Sequence, residues 1–401
     1  MGALERRRIA APRFGRATRE GYIRAMTPNA STSQSASTYR PAREIVRRTP
    51  KVLLHEHLDG GLRPQTVLEL ARAADYQELP ESDPELLRAW FFEGANRKTL
   101  PLYLEGFKHT IAVMQTREAL ERVAFEFMED MAQDGVVYAE VRFAPHFHTQ
   151  RGLGLDGVML AVLRGLRAGQ EKFGIGFGLI VCAMRNEPEH LSFQLAELAV
   201  TFRAQGCVGF DLAGEEAGHP AKDHQRAFDF VKRQNFSITI HAGESFGPES
   251  IWQALQYCGA HRIGHGTRLM EDIVVYDRKV IKMGALAQYV LDHRIPIEVC
   301  LSSNVHTGAT PSMAEHPFRF YFDRGFRVTL NTDNRLMSRT SMSEECVIAV
   351  EQFGCSLADL EKIAINGMKS AFLHYEDRVR IIFDAIKPGY AKLREELGLT
   401  L

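Results

Sequence analysis

Two histidines separated by one residue, His55 and His57, are the first histidines along the chain, and together they could bind a metal ion. They end a short apolar run that reads as a buried strand, and side chains two residues apart on a strand leave the same face. The run is followed by Gly60-Gly61, where the strand should break. A His-x-His pair in this position supplies half of a zinc ligand set. Such a pair also arises by chance, so the prediction depends on the other strand ends.

Two later segments offer the other half of a metal site, because HAGE contains His241 and NTDN contains Asp333. Three imidazoles and one carboxylate suit Zn²⁺ or Fe²⁺ far better than Mg²⁺. No Lys stands at the end of the third or fourth apolar run, which favours one ion over a pair bridged by a modified lysine. An ion with an open position would lower the pKa of its water to about 7, so the expected chemistry is hydrolytic rather than redox.

Two further residues could orient water or move protons beside that ion. His265 lies between glycines in GHG, so its ring could approach a bound water; the alternative is a hydrogen-bonded core histidine. Glu244 comes three residues after His241 in a Gly-flanked turn, where it could be a surface or supporting carboxylate. Next to a buried metal site, a partly desolvated Glu suits general acid catalysis. Gly214 and Gly243 would let the backbone approach a flat ligand.

These residues need a fold that brings distant strand ends together. From Lys51 onward, eight short β-branched runs recur between amphipathic segments, at 51–55, 136–143, 177–183, 207–212, 237–241, 261–264, 295–300 and 327–332. Alternation of strand and helix repeated eight times predicts a parallel (β/α)₈ TIM barrel, with its active site at the carboxyl ends of the strands. A doubly wound open sheet is the alternative. No G-x-G-x-x-G follows the first run, which argues against a dinucleotide site.

The predicted barrel domain covers 46–401, and one interval within it is oversized. Residues 58–135 separate the first two runs, and we expect a helical lid insertion over the barrel mouth. Apolar residues of 101–114 would form its inner face or pack on the barrel wall, and they are Leu102, Leu104, Phe107, Ile111 and Met114. In 117–134 an apolar stripe predicts a helix, and extra helices are expected at 341–397.

The N-terminal segment differs in composition from the rest of the chain. Residues 1–50 hold eleven Arg against three Glu, and STSQSAST at 31–38 is of low complexity. We predict a disordered basic tail at 1–45, or an upstream start with Met26 as the true one, in preference to a transit peptide.

Whole-chain totals exclude several classes of protein. The formal net charge is −1, with 45% hydrophobic and 25% charged residues, which is typical of a soluble globular protein without a general attraction to nucleic acid or membrane. No run of about 18 apolar residues predicts a transmembrane helix. The six cysteines form no C-x-x-C motif, which favours reduced thiols and a cytoplasmic location.

Taken together, the motifs resemble those of the adenosine deaminase family of metal-dependent hydrolases, over about residues 50–375. The matching segments are KVLLHEHLDG (51–60), VVYAEVRFAPH (136–146), VGFDLAGEE (208–216), TIHAGE (239–244), RIGHG (262–266), SSN (302–304) and TLNTDN (329–334). HEHLDGGLRP and NTDNRLMS are closest to the bacterial branch. The H-x-E and P-C-x-x-C signature of nucleobase deaminases is missing.

The resemblance implies a role for each site residue. One Zn²⁺ per chain would be held by His55, His57, His241 and Asp333. His265, with Asp333, would orient and help deprotonate the attacking water, and Glu244 would protonate the purine N1. The side of the site that faces the substrate would consist of His57, Asp59, Gly214 and Asn334. In that set Asp59 would bind the ribose 5′-hydroxyl, and the Gly214 N–H would meet N3.

The implied reaction is hydrolytic deamination of adenosine and 2′-deoxyadenosine in purine salvage. Asn334 departs from the family, whose better-known members carry Asp there to meet N7, although a neutral amide donates at any pH. This leaves open a deaminase of another 6-aminopurine, such as adenine or an aminofutalosine-type nucleoside, and an inactive binding relative. A nucleoside is expected rather than AMP because no basic cluster surrounds the motifs, and Arg335 is the one residue that weakens this expectation. The sequence does not determine the oligomeric state.

Overall fold

Ten strands are found in the computed structural model, which describes residues 35–276 and 279–400. In chain order they are β1 (Lys51–Leu53), β2 (Val136–Phe143), β3 (Gly176–Met184), β4 (Cys207–Ala213), β5 (Ser237–Ala242), β6 (Arg262–His265), β7 (Ile273–Tyr276), β8 (Lys279–Met283), β9 (Ile297–Val299) and β10 (Val328–Leu330). Eight of them form one parallel sheet in the order β1-β2-β3-β4-β5-β6-β9-β10. The predicted barrel is therefore confirmed.

The first and last strands of the sheet meet just beyond their carboxyl ends. The His57 N–H donates to the Asp333 carbonyl at 2.7 Å, and the Asp333 N–H donates to the His55 carbonyl at 2.9 Å. These bonds close the barrel and exclude the open sheet. They also hold the backbone of the His-x-His pair next to the backbone of Asp333.

A two-stranded antiparallel hairpin, β7–β8, lies outside the barrel and was not predicted. Its apolar residues Val274, Tyr276 and Ile281 are exposed, whereas Ile273 is buried. Sequence patterning detects buried strands well, but a short hairpin with an unburied face has no such signal.

Helices cover the outside of the barrel and the interval between β1 and β2. In chain order they are α1 (Arg43–Arg48), α2 (Pro64–Ala73), α3 (Pro84–Ala95), α4 (Leu100–Leu104), α5 (Phe107–Val113), α6 (Arg117–Gln133), α7 (Leu155–Phe173), α8 (Glu189–Thr201), α9 (Gln225–Arg233), α10 (Pro248–Gln256), α11 (Ala285–Asp292), α12 (Leu301–His306), α13 (Phe318–Asp323), α14 (Arg335–Ser338), α15 (Met342–Phe353), α16 (Leu357–Ser370), α17 (Tyr375–Ile381) and α18 (Lys387–Glu396). A π-helical turn, Ile382–Ile386, joins the last two. None of the helices in the described ranges is long and apolar enough to cross a membrane.

The helix α6 shows how local sequence and packing agree. Its first residues are capped by the Thr116 side chain, which accepts the Ala119 N–H. The predicted apolar stripe is buried, and its residues are Leu120, Val123, Ala124, Phe127, Met128 and Met131. The helix α7 packs closely against it because Gly165 has no side chain; a Cβ there would lie 2.1 Å from the Glu121 carbonyl oxygen. The helix α6 is thus part of the barrel wall.

The interval 58–135 is helical, as predicted, but its helices differ in position. The helices α4 and α5 contribute residues to a cavity at the carboxyl ends of the strands, whereas α6 packs on α7. That α4 and α5 act as a lid stays a prediction.

The domain boundary at 45 also stays a prediction. Residues 1–34 of the expected tail lie outside the described residues. Within 35–45, Ala36 is buried and its N–H donates to the Thr400 carbonyl at 2.8 Å, and α1 begins at Arg43. Ordered chain therefore begins before residue 46.

Candidate active site

Four predicted ligand residues converge at the carboxyl ends of the strands. His55 and His57 follow β1, His241 lies in β5 and Asp333 follows β10. One donor atom from each lies within 4.8 Å of the other three. The Nε2 atoms of His57 and His241 are 3.1 Å apart, and Asp333 Oδ1 is 3.3 Å from His55 Nε2. The barrel thus assembles the group that the sequence predicted.

Buried carboxylates hold two of these imidazoles in one tautomer. His55 Nδ1 lies 2.8 Å from Glu298 Oε2, and His241 Nδ1 lies 3.1 Å from Asp211 Oδ2. The Arg142 guanidinium pairs with both carboxylates, at 2.9 Å and 3.0 Å. Burial alone would raise the pKa of both carboxyls, but the Arg142 charge helps to hold both pKa values well below their usual range. An ionised carboxylate only accepts hydrogen bonds, so each Nδ1 carries the proton and each Nε2 presents a lone pair.

The donor set fits a bound cation. His55 Nε2 is buried and has no hydrogen-bond partner among the described residues. The lone pairs of His55 and His241 point into the same small volume as the Asp333 carboxylate. Such an arrangement is unfavourable without a positive charge between the donors, and three imidazoles with one carboxylate match the ligands that zinc prefers.

The backbone is strained at two residues of the site. Asp333 has φ +61° and His265 has φ +63°, in the left-handed region that few non-glycine residues occupy. Strain of this kind costs on the order of 1–3 kcal/mol and persists where the surrounding structure enforces it. At Asp333 the enforcing contacts are the backbone bonds that close the barrel.

A chain of hydrogen bonds determines which nitrogen of His265 carries the proton. The Phe318 N–H donates to His316 Nδ1 at 3.0 Å, so His316 carries its proton on Nε2, which lies 3.1 Å from Asn304 Oδ1. The Cys300 N–H also points to that oxygen, at 3.4 Å. The Asn304 amide nitrogen therefore donates to His265 Nδ1 at 2.9 Å. Neutral His265 consequently carries its proton on Nε2.

Glu244 is held in place by a second buried carboxylate. Glu216 accepts four consecutive backbone N–H groups, from Gly243, Glu244, Ser245 and Phe246, at 2.6–3.0 Å. Burial, together with the charges of Asp333 and Glu216, raises the pKa of Glu244 well above its usual range. Glu244 Oε2 lies 3.6 Å from His265 Nε2. The site therefore favours a protonated Glu244 carboxyl beside the ligand group.

A cavity of about 450 Å³ opens above these residues. All the predicted site residues line it except His55, which is buried beneath, and Gly243, which was expected to approach a flat ligand. Its apolar side comes from α4 and α5 and includes Leu104, Phe107 and Ile111 of the predicted inner face. Leu102 and Met114 do not line it, and Met114 is fully buried in the core.

Two residues that line this cavity each have a side-chain oxygen without a hydrogen-bond partner. Asp59 Oδ1 and Asn334 Oδ1 are buried without a hydrogen-bond partner among the described residues. A Cβ at Gly60 would lie 1.9 Å from Asn334 Oδ1, so the glycine makes room for this amide. Gly214 has φ +91° and lines the cavity. Because glycine has no side chain, a ligand in the cavity could contact its backbone directly.

The cavity contains little positive charge. Lys108 is the only Lys or Arg among the described residues that line it. Arg335 lies outside the cavity, where its Nε is 2.9 Å from Glu56 Oε1 and its Nη1 is 2.7 Å from Asp130 Oδ2. Arg335 is therefore already neutralised by two carboxylates.

Several residues that support the site were not assigned from the sequence. They are Arg142, Asp211, Glu216, Glu298, Asn304 and His316. One signal was available, since Arg142 and Glu298 are charged residues inside apolar strand runs, which requires a buried partner. The sequence pattern does not identify that partner.

Comparison with known proteins places this geometry in context. A family model described as adenosine deaminase matches residues 50–388. The chain is 51% identical over 378 residues to adenosine deaminase 1 of Streptomyces coelicolor, covering 93% of this chain and 95% of that protein. It is 50% identical over 362 residues to the adenosine deaminase of Mycobacterium ulcerans, covering 89% and 99%. Among solved structures, an adenine deaminase from Arthrobacter aurescens has a TM-score of 0.77 at 25% identity, covering 86% of this chain and 99% of that one.

Proposed function

Because the chain belongs to the adenosine deaminase family and deaminates adenosine, we propose that the residues at the carboxyl mouth of the barrel carry out this hydrolysis with one zinc ion. The observation that carries the proposal is the convergence of three imidazoles and one carboxylate beside the buried Glu244 carboxyl. We further propose 2′-deoxyadenosine as a second substrate and purine salvage as the role.

Zinc would be held by His55, His57, His241 and Asp333. When bound, it would lower the pKa of a water to about 7 and so supply a nucleophile at neutral pH. The carboxylates Glu298 and Asp211 support this assignment because they keep the Nε2 lone pairs of His55 and His241 directed at the ion position.

His265 and Asp333 would divide the work on the attacking water. His265 already carries its proton on Nε2, so it can donate a hydrogen bond to the water oxygen and orient it, but it cannot accept the water's proton there. The Asp333 carboxylate is the acceptor in the same group. We therefore assign orientation to His265 and proton acceptance to Asp333, which departs from the resemblance, in which His265 also helps to deprotonate the water.

Glu244 would donate its proton to the purine N1 while the water oxygen adds to C6. The donation neutralises the negative charge that builds on the ring, which is the function of a positioned general acid. The proton on Asp333 then passes to the amino group, the C6–N bond breaks, and ammonia leaves. The C6 hydroxyl proton returns to Glu244 as the carbonyl of inosine forms, so both carboxyls regain their starting states.

The cavity would bind the nucleoside through the free polar atoms that line it. We assign the ribose 5′-hydroxyl to Asp59, N3 to the Gly214 N–H, and N7 to the side-chain N–H of Asn334, and His57 lines the same cavity. A nucleoside fits this cavity better than AMP, because Arg335 is paired with Glu56 and Asp130. The buried, free state of all six cysteines supports our placement of the protein in the cytoplasm.

The test is a set of initial rates, followed by ultraviolet absorbance, on adenosine, 2′-deoxyadenosine, adenine, AMP and an aminofutalosine-type nucleoside. We expect adenosine to have the highest kcat/KM, and we expect a chelator to abolish the rate and added zinc to restore it. Adenosine turnover at background level, or a higher kcat/KM for adenine, would overturn the substrate assignment. Activity that survives complete metal removal would overturn the zinc assignment.

A further inference from the structure

A second large cavity opens at the other end of the barrel. Its lining includes residues at the amino ends of strands, namely Cys207 of β4, Ser237 of β5 and Arg262 of β6, and residues that precede β9 and β10, namely Pro296 and Arg327. Its volume is about 720 Å³. We call it the amino-end cavity. Since the deaminase site lies at the carboxyl ends, the two cavities are at opposite mouths of the same barrel.

The amino-end cavity is lined by positive charge without negative charge. Five of the cationic side chains that line it have no carboxylate oxygen within 4.0 Å among the described residues. They are Arg203, Arg294, Arg327, Lys369 and Arg378. No Asp or Glu of the described residues contributes to the lining. The whole chain has a formal net charge of −1, so this concentration does not reflect a generally basic protein.

These cations have unused hydrogen-bonding capacity. The Nε atoms of Arg327 and Arg378 are buried and have no hydrogen-bond partner among the described residues. Arg378 uses one other nitrogen, which donates to the Lys369 carbonyl at 2.8 Å. Burial, with the charges of Arg294 and Arg378, lowers the pKa of Arg327, so these guanidinium groups repel one another.

Arg262 also lines this cavity, but it differs from the five cations because its partners are part of the fold. Its guanidinium lies 2.6 Å from Glu140 and 2.5 Å from Glu298, and it stacks on the Phe372 ring at 3.5 Å. It is 1% exposed. The five unpaired cations have no such carboxylate partners among the described residues. Three of them are exposed and two are partly buried, so a ligand in the cavity could reach them.

We propose that the amino-end cavity binds a small, multiply charged phosphate compound, such as a nucleoside triphosphate or an inorganic polyphosphate. Guanidinium groups match phosphate oxygens with paired N–H donors, and a cleft lined by one sign of charge concentrates ions of the opposite sign. The volume lies within the range of roughly 300–1,000 Å³ typical of small-molecule sites.

The charge balance favours several phosphate groups over one. An orthophosphate carries at most about two negative charges at pH 7, which would leave most of the five cations uncompensated. A triphosphate chain carries more charge and can contact several guanidinium groups at once. The site would therefore prefer a chain of phosphates to a single one.

The test is isothermal titration calorimetry on the full-length, zinc-loaded protein, with inorganic triphosphate, GTP and orthophosphate as separate probes at about 100 mM salt. GTP is used instead of ATP because an adenosine group could enter the deaminase site. The variants are Arg327→Gln and Arg294→Gln. The matched control is Arg117→Gln, since Arg117 is exposed at the start of α6, away from this cavity, and loses the same charge.

We expect triphosphate to bind more tightly than orthophosphate, and we expect Arg327→Gln and Arg294→Gln each to weaken its binding about tenfold or more, whereas Arg117→Gln leaves it unchanged. Equal binding of triphosphate and GTP would identify the phosphate chain as the recognised group; tighter binding of GTP would identify a nucleotide. Deamination measured after each titration confirms that the variants are folded and retain zinc. Absence of triphosphate binding by the unmodified protein, or an equal loss in all three variants, would overturn the proposal.

Discussion

The two mouths of the barrel use charged residues in opposite ways. At the carboxyl mouth, the buried Arg142 is paired with the buried carboxylates of Asp211 and Glu298. At the amino mouth, Arg294 and Arg327 have no described carboxylate within reach. The first arrangement holds imidazoles in one orientation, and the second leaves donors available. The lesson is that residue type alone does not indicate role, because the partner determines whether a charge is structural or free.

The cost of burial explains the difference. A fully buried charge must be paired, since removing one partner leaves an uncompensated ion. A cation near open solvent keeps part of its hydration, so it can remain unpaired until a ligand arrives. Five substitutions test this difference between the two mouths.

Asp333→Ala should disable the carboxyl mouth completely and leave the amino mouth intact. The change removes one zinc ligand and the acceptor of the water's proton, so we expect zinc per chain near zero and deamination at background level. Metal content by mass spectrometry and initial rates provide the measurement. Asp384→Ala, at an exposed aspartate of the π-helical turn, is the control and should keep both. An Asp333→Ala protein with full zinc would show that Asp333 is not a ligand.

Arg262→Met should destabilise the fold, because it leaves Glu140 and Glu298 buried without this partner. We expect the free energy of unfolding in urea to fall by about 3–5 kcal/mol. The control is Arg268→Met, whose partner Glu271 is exposed, and there the loss should stay below about 1 kcal/mol. Equal losses in the two variants would contradict the distinction between paired buried and exposed arginines.

Glu244→Gln should separate metal binding from proton donation. The amide cannot supply the proton to N1, so kcat should fall by a factor on the order of 10² or more while zinc content stays the same. Glu249→Gln, at an exposed residue of α10, should retain the normal kcat. An unaltered rate in Glu244→Gln would remove this residue as the acid.

Asn304→Asp should reverse the hydrogen bond to His265. A carboxylate can only accept, so the proton of neutral His265 should move from Nε2 to Nδ1. We expect the ¹⁵N NMR chemical shifts of the His265 ring to show Nδ1, instead of Nε2, as the protonated nitrogen. We also expect kcat to fall about tenfold, which corresponds to the loss of one hydrogen bond worth about 1.4 kcal/mol. Asn235→Asp, in the turn before β5, is the control. An unchanged ring spectrum would contradict the assigned tautomer.

Arg294→Gln should change the free energy of unfolding only slightly, and it should raise this free energy, whereas Arg262→Met lowers it. Removing one of several mutually repelling cations should raise the free energy of unfolding at low salt by less than about 0.5 kcal/mol, and the gain should vanish at high salt. Urea denaturation at two ionic strengths measures it, with Arg117→Gln as the control. A clear destabilisation would mean that Arg294 has a structural partner after all.

The barrel was predictable because its signal is local and repeated. Each buried strand must be a short apolar run, and helices must separate parallel strands, so the pattern appears eight times along the chain. The hairpin β7–β8 was missed because its exposed residues leave no comparable pattern. Within 101–114, Leu104 faces the cavity and Leu102 does not, since helix orientation depends on packing that the sequence pattern leaves open.

By itself, the sequence determined which residue types stand at the strand ends, because strand termination and side-chain alternation depend on near neighbours. His55, His241 and Asp333 were identified in this way. Their partners depend on the tertiary structure, which places Glu298 beside His55 and Asp211 beside His241. It also leaves five cations of the amino-end cavity without a carboxylate partner among the described residues. A hydrogen-bond partner is set by where two distant strands meet in a closed barrel, and spacing along the chain does not encode that meeting.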